Sequence, residues 1–285
     1  MCLRKRSLCV AVSAASIGCW CSMAHASTVL VTPADMNGWT LNSFDNNGNI
    51  VNSGPYYGTA AMATGPATPP LGTGSAHLAT PVGAADGAAA IATESYDGTL
   101  LSSITALSYS TYDVTNNGQQ FPYLAISIQT NDSNSDVDTL FFEPPYQQPS
   151  TGNPSLPNQG APVQDVWQTW NAYVGGFWDN LGVGNPGTQE GSTPGVEPLS
   201  TFLAAYPDAT IENGGYPGLG GIALQVGFES AGDTEDGYVD AFTIGVDGVN
   251  TTYNFDPASV PEPASLSVLG LTGAAILVRR RRPQA

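Results

Sequence analysis

Short segments in which apolar and polar residues alternate run through most of this chain. In LAISI, the side chains of Leu124, Ile126 and Ile128 would share one face of an extended strand, and IALQVGF at 222–228 repeats the pattern. Gly, Pro, Asn and Asp, which favour turns, lie between such segments. This period of two constrains the fold most strongly, because it predicts short antiparallel strands that each bury one face against a partner layer.

The alternation predicts most of the strands, and one segment departs from it. The predicted strands are STVLVT at 27, AAAIAT at 88, SITALSYSTY at 103, PYLAISIQT at 122, DTLFFE at 138, GIALQVGF at 221, YVDAFTIGV at 238 and TTYNFD at 251. The segment EPLSTFLAAYP instead spaces Leu199, Phe202 and Tyr206 at helical intervals and ends at a proline, which predicts one short surface helix. Residues 52–76 and 144–163, rich in Pro, Gly and Ser, are predicted to be long irregular loops.

Charge is distributed very unevenly along the chain. All seven Lys and Arg residues lie near the two ends, so none occurs between Ser27 and Val278, whereas all but one of the 24 acids lie between Ser27 and Ser259. Such a body repels nucleic acid and anionic lipid and cannot form a Lys or Arg salt bridge. We therefore predict no nucleic-acid partner. The acids either serve solubility or are neutralised in part by divalent cations.

The N-terminus has the three parts of a secretory signal peptide: basic residues at 4–6, an apolar stretch at 8–20 and the small-residue sequence Ala24-His25-Ala26. We predict that residues 1–26 are a signal peptide and that signal peptidase cuts between Ala26 and Ser27. A lipoprotein signal with Cys19 or Cys21 modified is the alternative. All four cysteines lie within residues 1–26, so the mature chain would have no disulfide and no Cys metal ligand.

The C-terminus combines three features in a fixed order: the triplet Pro261, Glu262 and Pro263, an uncharged apolar run at 264–278, and the cluster Arg279, Arg280, Arg281 and Arg282. The apolar run predicts a hydrophobic helix, although it is shorter than the roughly 20 residues that usually span a bilayer. Arginines stay on the cytoplasmic side of a membrane, so we expect the body to lie outside the inner membrane.

This order of features closely resembles the PEP-CTERM sorting signal of Gram-negative bacteria, which we assign to residues 259–285. The resemblance implies that an exosortase, a membrane-embedded protease and transpeptidase, recognises Pro261, Glu262 and Pro263. It also implies export across the inner membrane, transient anchoring there, and delivery to the cell surface or the extracellular matrix. The alternative is an ordinary tail-anchored protein that keeps its C-terminal segment.

Between the two signals, the order GSAHL, SITALSYSTY, FEPPYQ, GGIALQVG, GYVDAFTIG and TTYNFD resembles secreted bacterial jelly-roll-like domains of unassigned function. This looser resemblance implies a fold and no activity. Together with the strand pattern, it predicts a single all-β domain at 27–258: an antiparallel, jelly-roll-like β-sandwich with one short surface helix.

Two acidic segments are candidate calcium sites. GDTEDGYVD contains Asp233, Glu235, Asp236 and Asp240, and clustered carboxylates without a cationic partner favour a hard cation such as calcium. Jelly-roll carbohydrate-binding modules often keep a structural calcium at a similar place. DSNSDVDTLFFE at 132–143 has acids in the register of an EF-hand loop, but it has Val137 where that loop requires Gly, and strands are predicted on both sides. We therefore expect only a looser oxygen-ligand site or a solvated turn there.

Aromatic residues offer a different kind of ligand surface. Trp167, Trp170 and Trp178 could stack on sugar rings, with nearby Asn, Gln and Asp side chains as hydrogen-bonding partners. Burial in the core is the alternative for each of them, and Trp167 and Trp170 cannot face the same side of one strand. His77 is the only histidine after the signal peptide, and its strand-like setting favours a structural role.

These observations predict a non-enzymatic, exported surface or matrix protein with a structural or glycan-associated role. The first alternative is a calcium-dependent carbohydrate-binding module. The second is a glycosidase-like enzyme, because a pair of carboxylates can hydrolyse a glycosidic bond, although the mature sequence offers no Ser-His-Asp set and no Cys nucleophile. The expected partners are signal peptidase, an exosortase and an extracellular polysaccharide, and calcium is the only cofactor expected.

Overall fold

The computed structural model describes residues 26–45, 47–51, 57–81, 87–116, 120–134, 136–183, 195–212, 221–228 and 234–257. The predicted signal peptide up to His25 and the whole predicted sorting segment at 259–285 lie outside these residues. The predicted boundaries of the body at Ser27 and Ala258 stay predictions. No helix in the described part of the chain is long and apolar enough to cross a membrane.

Strands are the main regular structure of the described residues. The strands are β1 (Ser27–Val31), β2 (Trp39–Phe44), β3 (Thr59–Thr64), β4 (Gly74–Ala79), β5 (Ala88–Thr93), β6 (Ile104–Thr115), β7 (Tyr123–Gln129), β8 (Val137–Phe142), β9 (Gln168–Asn171), β10 (Gly176–Asp179), β11 (Glu197–Pro198), β12 (Thr210–Ile211), β13 (Ile222–Val226), β14 (Asp236–Val246) and β15 (Val249–Phe255). The helix α1 (Leu199–Ala205) follows β11, and short 3-10 turns occur at Leu101–Ser103, Pro144–Tyr146 and Ala172–Val174.

The strands form two sheets that pack face to face, which confirms the predicted β-sandwich. Sheet 1 is centred on the long strand β14, which pairs with β6 on one side and with β15 and β4 on the other; β9, β1 and β3 extend it outwards. Sheet 2 has the order β11-β10-β8-β7-β13-β5-β2, with β12 beside β7. All pairs are antiparallel except β1 with β15.

The core lies between the inner faces of the two sheets. It includes the alternating residues that the sequence predicted, Leu124, Ile126 and Ile128 of β7 and Ile222, Leu224 and Val226 of β13. The predicted helix is confirmed as α1, which buries Leu199 and Phe202 against this core and leaves its other side towards solvent. Trp39 of β2 links the sheets, because its ring makes edge contacts with Phe242, Tyr253 and Phe255 of sheet 1 at 5.1–5.4 Å between ring centres.

One predicted loop contains regular structure. Residues 52–76 were expected to be irregular, but β3 lies within this stretch and pairs along its length with β4. The sequence of β3, TAAMAT, has small side chains and no clear alternation, so its pairing with β4 decides its conformation. The predicted loop at 144–163 contains no strand in the structure.

We expect Trp39→Ala to lower the free energy of unfolding by about 3–5 kcal/mol, because a fully buried ring that joins both sheets would leave a cavity. Urea unfolding of the exported protein measures this loss. Tyr173→Ala is the control, since Tyr173 is an exposed aromatic residue and its removal is expected to change stability by no more than about 0.5 kcal/mol. Equal losses in the two variants would contradict the assigned role of Trp39.

Candidate functional site: an aromatic row on sheet 1

Four aromatic rings form a row across the outer face of sheet 1. Tyr238 of β14 pairs directly with His77 of β4 on one side and with Tyr112 of β6 on the other. Trp167 immediately precedes β9. The last residue pair between β6 and β9 is Thr111 with Gln168, so the next residues along, Tyr112 and Trp167, lie side by side. We call these four residues the aromatic row. They lie together because directly paired residues on neighbouring strands project on the same face of a sheet.

The rings of the aromatic row are in contact from one end to the other. Ring centres are 5.6 Å apart for Trp167 and Tyr112, 6.5 Å for Tyr112 and Tyr238, and 4.5 Å for Tyr238 and His77. The last pair is nearly parallel, with 22° between the ring planes, whereas Tyr112 and Tyr238 meet edge to face. The four rings therefore do not lie in one plane.

Polar contacts fix both ends of the row. Trp167 donates its indole N–H to the carbonyl oxygen of Pro66 at 2.9 Å, and His77 Nε2 lies 2.9 Å from Asp236 Oδ1. All four side chains are half-buried, so part of each ring faces solvent. Half-exposed aromatic rings held in one place can stack on the apolar faces of sugar rings.

A groove of about 510 Å³ is lined in part by residues that lie within four positions of Tyr112 or Trp167 in the sequence. Its lining includes the amide side chains of Asn116, Gln148 and Gln164, together with Phe121, Pro145, Thr151, Ala161, Pro162 and Val163. Asn116 follows Tyr112 closely along the chain, and Gln164 precedes Trp167. Amides beside aromatic rings can donate and accept hydrogen bonds to the hydroxyl groups of a sugar whose ring stacks nearby.

The three tryptophans that we predicted from the sequence as a sugar-binding surface lie apart in the structure. Trp167 belongs to the aromatic row, but Trp170 is fully buried and donates its indole N–H to Thr111 Oγ1 at 2.8 Å in the core. Trp178 lies on the outer face of sheet 2, stacked on Phe141 at 4.2 Å. Trp170 therefore has no ring surface to offer a ligand, and the other two lie on different sheets.

Sequence reasoning missed Tyr112 and Tyr238 and assigned His77 only a structural role. His77 does lie on a strand, as expected, and it also contacts Asp236 and forms one end of the aromatic row. The sequence signal that could have found these residues is the outward position of each one within its strand. Which strands are neighbours could not be inferred from that signal, because β4, β6 and β14 are far apart in the sequence.

The acids proposed as a calcium site have separate partners in the structure. Glu235 is buried beside Thr80, Asp236 faces His77, and Asp240 accepts hydrogen bonds from the amides of Leu71 and Phe255 at 2.9 and 3.1 Å. Asp233 lies outside the described residues. Among the residues that are described, no three acidic, His or Cys side chains gather as a metal centre would require. Calcium binding by the set of Asp233, Glu235, Asp236 and Asp240 stays a prediction.

Residues 132–134 of the second acidic segment lie in the connection between β7 and β8, and Val137–Phe142 of the same segment is β8 itself, so the described part of this segment has no EF-hand helix. Asp132 and Asn134 lie between β7 and β8, and Asp132 Oδ1 accepts hydrogen bonds from the Asn134 amide and from Thr130 Oγ1. The prediction that strands flank this loop is confirmed. Glu143, at the end of β8, accepts the indole N–H of Trp178 at 3.0 Å.

Several buried acids hold their protons more tightly than acids in water do. Burial raises the pKa of Asp113 to about 6 and that of Glu143 and Asp240 to about 7. Burial, followed by contact with Asp179, also raises the pKa of Asp138. In each case the folded state keeps a proton at a pH where the unfolded chain has released it.

We therefore expect the protein to be most stable in mild acid, at about pH 4, and to lose stability as the pH rises through about 7. Below the pKa values of these acids in the unfolded chain, their raised pKa values in the folded state contribute their full stabilisation. This stabilisation disappears as the pH rises above the pKa values of the folded state. Thermal unfolding across this range tests the sign. Glu143→Gln should flatten the profile, whereas Asp208→Asn, which removes an exposed acid, should not. A melting temperature that rises with pH would contradict this expectation.

Comparison with known families gives one result, and it concerns the C-terminus. A family model of the PEP-CTERM protein-sorting motif matches residues 259–282, which include the Pro261-Glu262-Pro263 triplet, the apolar run and all four arginines. No curated protein matches the chain. The C-terminal segment is therefore a PEP-CTERM sorting signal, which implies export of the protein, membrane-anchored sorting and processing by an exosortase.

Proposed function

We propose that this protein is a non-enzymatic component of the cell surface or extracellular matrix, and that the aromatic row binds a neutral polysaccharide. Export and exosortase-type sorting follow from the C-terminal signal. The observation that carries the binding proposal is the line of four half-exposed rings on one sheet face, in contact from Trp167 to His77.

The charge of the body favours a neutral ligand. No Lys or Arg lies between Ser27 and Val278, so the only side chain of the row that can carry a positive charge is His77, and Asp236 already faces it. An acidic polysaccharide would meet net repulsion from this surface. A neutral glycan avoids that repulsion, since stacking and hydrogen bonds to the amides of the nearby groove do not require a cation.

A calcium-dependent carbohydrate-binding module is the second candidate function. The observation that favours it is the large excess of acids over bases in the body, because calcium could bridge carboxylates of the protein to a glycan. The two candidates differ in a simple way. Binding through the aromatic row does not depend on calcium, whereas binding by such a module is lost when calcium is chelated.

We expect an array of polysaccharides to show binding of the exported protein to neutral glycans, with and without a chelator. Tyr238→Ala, which removes one of the two central rings, is expected to weaken this binding about fivefold, because an aromatic contact contributes about 1 kcal/mol. Tyr173→Ala is the matched control, since it removes an exposed tyrosine outside the row. Unchanged binding by Tyr238→Ala would contradict the proposed surface, and loss of all binding on chelation would favour the calcium-dependent module.

We also expect the mature protein to lack the residues that follow the PEP triplet. Replacing Arg279–Arg282 by Ser, or Pro261 and Pro263 by Ala, should cause unprocessed protein to accumulate, because the arginines fix the topology and the triplet is the recognised sequence. Mass spectrometry of the native C-terminus measures this. Pro283→Ala, which lies beyond the matched motif, is the control and should be processed normally. A native C-terminal peptide that ends in Pro283-Gln284-Ala285 would contradict cleavage and indicate a retained anchor.

A further inference from the structure

Two aspartates meet on the inner face of sheet 2, near one end of the sheet. Asp179 of β10 pairs directly with Leu140 of β8, and Asp138 lies two residues before Leu140. Residues two apart on a strand project on the same face, so Asp138 and Asp179 are diagonal neighbours on the side where Leu140 enters the core. Both are buried, with 2% and 0% of their surfaces exposed.

Each carboxylate uses one oxygen to accept hydrogen bonds from the local backbone, and its other oxygen has no donor among the described residues. Asp138 Oδ1 accepts hydrogen bonds from the amides of Thr139 at 2.7 Å and Asn180 at 3.0 Å. Asp179 Oδ2 accepts one from the amide of Val183 at 3.0 Å. Among the described residues, no donor bonds the remaining oxygens, Asp138 Oδ2 and Asp179 Oδ1, which are buried, and the two carboxyl groups contact each other. A buried acceptor in that state is costly unless something else satisfies it.

The protein cannot supply the missing positive charge from its own body. No Lys or Arg occurs between Ser27 and Val278, and His77 faces Asp236 on the other sheet. Two further acids, Asp132 and Asp136, act on the same neighbour. After burial, their charges and those of Asp138 and Asp179 raise the pKa of Tyr206. The negative potential at this end of the sheet therefore attracts a cation from solvent.

We propose that Asp138 and Asp179 hold a hard divalent cation, calcium in an extracellular setting, through Asp138 Oδ2 and Asp179 Oδ1. Calcium prefers carboxylate oxygens and completes its shell of six to eight with backbone carbonyls and water, so two acidic side chains can anchor it. The backbone amides of Thr139, Asn180 and Val183 orient the two carboxylates. The site is separate from the acidic segment at 233–240, and it does not depend on the proposed glycan surface.

Thermal unfolding of the exported protein, with calcium and with sodium, tests this site. Millimolar calcium should raise the melting temperature by several degrees beyond sodium at matched ionic strength. Asp138→Asn and Asp179→Asn should lose this calcium-specific rise. Without calcium, both variants should melt at the wild-type temperature or above it. The reason is that the new Asn side chain can donate a hydrogen bond to the remaining carboxylate, which has no cation in this condition.

Two further variants keep the outcome clear. Asp247→Asn removes an exposed acid at positive φ, where Asn is also tolerated, and it should keep the full calcium response. Asp236→Asn tests the alternative location, because loss of the whole calcium-specific rise in this variant would assign the calcium to the segment at 233–240. The proposal would be overturned if calcium and sodium acted alike on the wild-type protein, if Asp138→Asn kept the calcium-specific rise, or if Asp236→Asn abolished it.

Discussion

The absence of Lys and Arg from the body is the constraint on which the rest of this structure depends. Most folded proteins pair buried acids with basic side chains, and here that solution is not available between Ser27 and Val278. The structure uses backbone amides instead: Asp240 accepts from Leu71 and Phe255, and Asp256 accepts from Thr73 at 2.8 Å. Such bonds hold the loop before β4 and the strand β15 against β14. The buried acids thus tie loops to the sandwich, but their burial also raises several pKa values.

The same period of two that builds the core also creates the candidate ligand surface. Each strand of sheet 1 buries alternate side chains against sheet 2, so the residues between them must face outwards. In β4, β14 and β6 the outward residues at one register are His77, Tyr238 and Tyr112. A rigid sheet holds these rings in place without a cost in loop ordering when a ligand binds. The inner faces therefore supply the stability, and the outer face of sheet 1 supplies the surface proposed for glycans.

Local pattern predicted the fold well and the candidate sites poorly. The strands with clear alternation, β7 and β13 among them, and the helix α1 were predicted because each pattern is contained in one segment. The strand β3 was missed because its small residues form a strand only beside β4. The aromatic row and the Asp138–Asp179 pair depend on which distant strands become neighbours, and a single sequence does not contain that information. The rule that Trp167 and Trp170 face opposite sides did hold, but it could not tell which of the two is buried.

The uneven distribution of charge links the body to its sorting signal. A membrane segment is oriented by the Lys and Arg residues near its ends, and the charge of a long exported domain has little influence on that orientation. Here the exported body has no Lys or Arg, so Arg279–Arg282 are the only basic residues near the apolar run, and the orientation they specify is unambiguous. Because no Lys or Arg lies between Ser27 and Val278, the charges of the acids in the body are compensated mainly by protons and by cations taken from the surroundings.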